Sequence, residues 1–159
     1  MNALSPFRLT GVTLEERVHV RRTREIEHER EIALYDLLEA NSFKLVGSSG
    51  GPYKLVLGIE ERRLTFDIHL ENGEPHGKLI LSLTPFRRAI KEYFQICESY
   101  FKSIPNDPST RIESLDMARR GLHNDGAELL MERLKGKVEM DFDTARRLFT
   151  LICVLHLKG

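Results

Sequence analysis

The chain has no excess of charge of either sign. Lys+Arg and Asp+Glu each number 24, so the formal net charge is zero. A dedicated nucleic-acid binder carries a basic excess, so this balance argues against that role. Cysteine is scarce, with only Cys97 and Cys153. Both fall in apolar helical patterns, which reads as buried free thiols and not as a disulfide framework. The opening MNALSPFRLTG holds no apolar run of signal-peptide length. These features set an expectation of a reducing bacterial cytoplasm. No apolar run reaches the roughly 20 residues of a membrane span. The fixed His/Cys spacings of strong metal motifs are missing, so neither a metal nor a cofactor is expected. Repeats, linkers and low-complexity tracts are also missing, and the 159 residues suit one domain, 1–159.

What is present begins with the C-terminal stretch TARRLFTLICVLHL, Thr144 to Leu157. From Leu148 onward it is apolar on every side except at Thr150 and His156. Such a helix belongs in a core or an intimate interface. Ahead of it, Phe7, Leu9, Val12 and Leu14 alternate with polar residues around Gly11, which predicts a strand bulged at the glycine. Glu15 to Arg24 is densely charged and reads as a connector. Ile26, Ala33, Leu34, Leu37 and Leu38 then share a helical face up to Asn41-Ser42.

The middle is strand-rich. Phe43 and Leu45 share a face. Gly47 to Pro52 breaks the chain, and it lacks both the following helix and the Gly-Lys-Ser/Thr ending of a phosphate loop, so it reads as a turn. Tyr53 to Ile59, Leu64 to Leu70 and Leu79 to Leu83 alternate, with turns at Glu60-Glu61 and Asn72-Gly73. The second half predicts helices. Thr84-Pro85 starts one, and Thr110 with Glu113 makes a capping box for the next. Gly121 and Gly126, with a second box at Asp125 and Glu128, predict a kink or restart. Gly136 ends that helix, and Asp141 or Asp143 caps the last. The pattern predicts an α+β domain: an antiparallel β-meander with helices on one face and a buried final helix.

Three arginine pairs could hold an anion: Arg87-Arg88, Arg119-Arg120 and Arg146-Arg147. The plainer reading is solvated helix faces, with Arg88–Glu92 and Asp116–Arg120 at i,i+4 spacing. DMARRGLHNDG, Asp116 to Gly126, is the densest polar segment. Asp116, Arg119, Arg120 and His123 share one helical face, with Asn124 beside them, and Gly121 leaves room for a ligand or another backbone. No nucleophile accompanies them, and a capped helix break is the plainer reading. Glu27, His28 and Glu31 lie within one turn, but in a mixed-charge run that also holds Glu29 and Arg30, so a solvated face is expected over a metal site. His69 and His76 flank the Asn72-Gly73 turn as a surface pair.

Taken together, EHEREIALYDLLEANSF, GGPYKL, LSLTPFRRAIKEYF, DMARRGLHNDGAELL and FDTARRLFTLICVL give the chain a family likeness. It resembles an uncharacterised alphaproteobacterial family, number two-six-two of the UPF series, from about Phe7 to Gly159. Asp125 stands where that family has Glu. The resemblance implies no activity, cofactor or catalytic residue.

Two functions follow as expectations. The first is a non-enzymatic interaction or regulatory protein, a homodimer with a further protein partner still to be found, because the last helix carries more apolar surface than a monomer readily covers. The second is an anion- or phosphate-binding small-molecule enzyme using Arg119, Arg120, His123 and Asn124, helped by Arg87 or Arg146. It requires these side chains to converge in one concave pocket. RNA contact through the arginine pairs is a weaker third.

Overall fold

The computed structural model describes residues 5–15 and 23–156. Most of the charged connector, and Leu157 at the end of the expected C-terminal stretch, therefore lie outside the described residues. The elements run β1 (Leu9–Glu15), α1 (Arg24–Glu39), β2 (Phe43–Leu45), β3 (Tyr53–Glu60), β4 (Arg63–Leu70), β5 (Pro75–Ser82), a 3-10 turn (Thr84–Phe86), α2 (Arg87–Ser103), α3 (Ser109–Leu134), β6 (Val138–Met140) and α4 (Phe142–His156). The fold is α+β.

The main sheet has the order β1-β3-β4-β5. Strands β3, β4 and β5 form the expected antiparallel meander, whereas β1 joins it in parallel with β3. A parallel neighbour needs a long crossover, and α1 supplies it between β1 and the meander. The register of β1 slips between Leu9 and Gly11, a bulge at the expected glycine. Leu64, Phe66 and Ile68 point into the core, while Asp67 and His69 occupy the wetter face. The β3–β4 turn falls one residue later than expected: Glu61 and Arg62 both hold positive φ, 50° and 65°. That is the left-handed pair a two-residue hairpin needs.

A second, two-stranded sheet pairs β2 with β6. The sequence pattern misses β6, whose three residues follow closely after the Gly136 helix stop.

Helix α4 fills the centre. Leu148, Phe149, Leu151, Ile152, Cys153 and Val154 are fully buried. Burying each large apolar side chain contributes about 1.5–3 kcal/mol. The helix is covered by α1, α2, α3 and strands β1 and β3 of its own chain. Its apolar surface therefore gives no reason for a dimer. Asp141 caps it, accepting the Thr144 N–H at 2.8 Å.

Several start signals are overridden. Thr84-Pro85 opens a 3-10 turn ahead of α2, with no side-chain cap. Helix α3 starts after Pro108, so Thr110 and Glu113 are already helical and form no capping box. The expected break near Gly121–Gly126 is also missing: α3 runs unbroken for 26 residues. Packing against α2 and α4 outweighs the weak local helix preference. Gly126 is a packing position, since an added Cβ would collide with the Phe149 ring. Gly121 has no atom within 4 Å of its Cβ position, so the close approach expected there occurs at Gly126 instead. Gly136, at φ 82°, follows the end of α3 as expected.

Candidate functional site

Helix α1 turns Ile26, Ala33 and Leu37 inward, and Glu29 falls on the same face. A buried carboxylate needs partners, and α3 and α2 provide them. Glu29 Oε1 pairs with Arg119 Nη1 at 2.6 Å, and Glu29 Oε2 accepts from the Tyr93 hydroxyl at 3.4 Å. Arg119 Nη2 reaches Asp116 at 2.9 Å, and its guanidinium lies 4.7 Å from the centre of the Tyr100 ring. Arg119 thus ties α1, α2 and α3 together. Burial disfavours its charge, but Asp116 and Glu29 more than offset this and raise its pKa. The Asp116 carboxyl is held below the usual range, chiefly by its hydrogen bond from Arg119.

One turn on, the His123 ring packs on Tyr93 with centroids 4.8 Å apart. Among the described residues its Nε2 is shut from solvent and has no hydrogen-bond partner, and the same holds for Arg119 Nε. Burial lowers the His123 pKa to about 4, helped by the positive charges of Arg119 and Arg146. At neutral pH the imidazole is uncharged. Burial likewise pushes the Tyr93 hydroxyl well above its ordinary value and the Cys97 thiol to about 11.

Helix α4 brings two more cations. Arg146 pairs with Asp143 at 3.3 Å, and Arg147 donates to the Ala40 carbonyl at 3.3 Å. Between α1, α3 and α4 lies a cleft of about 160 Å³. Glu29, Ile32, Ala33 and Asp36 form one wall, Arg119 and His123 the second, and Arg146, Arg147 and Thr150 the third. Thr150 donates its hydroxyl to the Arg146 carbonyl at 3.2 Å.

Of the residues singled out from the sequence, Arg119, His123, Arg146 and Arg147 meet here. Arg120 points outward to Asp116 at 3.0 Å, with its side chain 73% exposed. Arg87 and Asn124 are exposed and do not line the cleft. Sequence reasoning missed Glu29, Asp36 and Thr150 as parts of the site. Glu29 could have been found, because a carboxylate three residues after Ile26 and four before Ala33 stands on the apolar stripe. Asp36 carries no such signal.

The two histidines of the β4–β5 hairpin do not pair. His69 sits opposite Lys54 on the outer face and lies 3.3 Å from Asp67. His76 packs on the inward Tyr53 ring and meets the Ser48 hydroxyl at 2.7 Å. That hydroxyl also accepts from the Tyr53 hydroxyl and the Gly50 N–H, which fastens the turn at Gly47 to Pro52.

This geometry describes an α+β protein with a small mixed-charge cleft on its helical side. The chain belongs to the uncharacterised protein family UPF0262, whose profile matches residues 6–158. A UPF0262 protein of Brucella canis is 55% identical over 153 residues, covering 96% of this chain and 95% of that protein. A UPF0262 protein of Rhizobium etli is 51% identical over 157 residues, covering 99% of each. No solved structure matches the chain significantly. Among the described residues no helix is long and apolar enough to cross a membrane.

Proposed function

We propose that this protein is a non-enzymatic, cytoplasmic binding module that takes a small anion in the cleft between α1, α3 and α4. The observation that carries the reading is convergence: Arg146, Arg147 and the sealed, unpartnered Nε2 of His123 belong to one concave site. A buried polar atom without a partner calls for a ligand or an ordered water. Arg119 is already bound to two carboxylates, so Arg146 and Arg147 are the groups to meet an incoming anion. Binding is favoured over catalysis by the chemistry at hand. An imidazole with a pKa near 4 is a weak proton acceptor at pH 7. The one hydroxyl on the cleft wall, that of Thr150, is engaged with backbone.

The test is calorimetric titration with inorganic phosphate and with propionate at constant ionic strength. Binding of at least one of them, lost in an Arg146→Ala/Arg147→Ala double variant that still melts cooperatively, is the expected result. Silence from both probes at millimolar concentration would end the reading.

A second reading, docking of another protein or a second copy, rests on a different observation. Ile32, Tyr35 and Leu38 of α1 are 45%, 69% and 40% exposed. Their spacing sets them in a row along one side of the helix, beside the cleft.

A further inference from the structure

The cleft is not a simple cationic well. Two carboxylates, Glu29 and Asp36, stand on the wall opposite the arginines. Both Glu29 oxygens are engaged, one on Arg119 and the other on Tyr93. Asp36 is half-buried, and its carboxylate has no hydrogen-bond or ion-pair partner among the described residues. A phosphate dianion held on Arg146 and Arg147 would face this carboxylate and be repelled by it. A ligand with a positive group as well as a negative one would meet both walls.

Resting on the reading above that the cleft binds an anion, we infer that its ligand is a small zwitterion, a free amino acid. The carboxylate meets Arg146 and Arg147, and the ammonium faces Asp36. Size agrees with this class. The cleft of about 160 Å³ holds roughly five waters' volume and falls below the roughly 300 Å³ at which ordinary cofactor pockets begin. A nucleotide or a sugar phosphate is too large. The α1 wall also carries Ile32 and the Ala33 methyl, which suit a short aliphatic side chain.

The experiment compares three probes by calorimetry on the full chain at pH 7: L-alanine, propionate without the amine, and ethylamine without the carboxylate. L-Alanine is expected to bind about tenfold or more tighter than either fragment, the equivalent of one further ionic contact. Asp36→Asn, a substitution outside the core, is expected to keep propionate binding and erase the preference for L-alanine. Propionate or ethylamine equalling L-alanine, or Asp36→Asn retaining the preference, would overturn the zwitterion. If propionate or phosphate still bound in that case, the anion site would stand alone. If L-alanine, propionate and phosphate all failed to bind, both readings would fall.

Discussion

Arg119 and His123 lie one helical turn apart and end in different states. Arg119 is half-buried with its charge matched by Glu29 and Asp116. His123 is half-buried beside positive charge, its Nε2 has no hydrogen-bond partner among the described residues, and it stays neutral. This has a consequence for stability. The folded pKa of about 4 lies below the ordinary 6.5. Between those values the unfolded chain binds more protons than the folded one, so stability rises with pH across the window. It is lost as pH falls from about 6.5 to about 4, by on the order of 3 kcal/mol in full. Urea melts at several pH values within that window are expected to show this slope, and His123→Gln to flatten it. An unchanged slope in the variant would mean that His123 titrates normally in the fold. The depressed Asp116 carboxyl gives up its contribution at lower pH, below its ordinary 3.8, and so does not mimic the effect.

Helix α3 shows how an element can contradict its own composition. Gly121 and Gly126 mark a weak point by local propensity, yet the helix is continuous. The two glycines differ in what surrounds them. At Gly126 a methyl group would run into the buried Phe149 ring, whereas at Gly121 it would meet open space. Gly126→Ala is therefore expected to cost about 1–3 kcal/mol through overpacking. Gly121→Ala should instead stabilise by up to about 1 kcal/mol, because alanine restricts the unfolded chain and favours helix. Chemical denaturation of the two variants separates the cases, and equal effects would contradict the α3–α4 packing. Local preference described α3 poorly because most of its stability comes from the neighbours α2 and α4.

For the whole molecule, one core is shared by the sheet and the helices, with α4 inside it. Among the described residues, α4 exposes only one large apolar side chain, Phe142 at its start, whereas Ile32, Tyr35 and Leu38 line up exposed in a row on α1. If a second copy docks there, Tyr35→Glu should shift sedimentation from dimer to monomer without lowering the melting temperature. A wild-type protein that sediments as a monomer at all concentrations would exclude self-association through this face. The same variant leaves Asp36, Arg146 and Arg147 intact, so ligand binding and assembly can be read separately.

The sequence by itself determined the α+β class, the β3–β5 meander and the burial of the last helix. Each of these is written in short-range periodicity: alternation in Leu64 to Leu70, and an all-round apolar run from Leu148. It also carried the bulge at Gly11 and the stop at Gly136, because glycine's missing Cβ acts locally. The tertiary structure alone decided the parallel pairing of β1, the β2–β6 ladder and the unbroken α3. It also decided which polar residues meet. Glu29 and Asp36 come from α1, His123 from α3, and Arg146 and Arg147 from α4. Their convergence depends on how three helices pack, a long-range arrangement that no local pattern records.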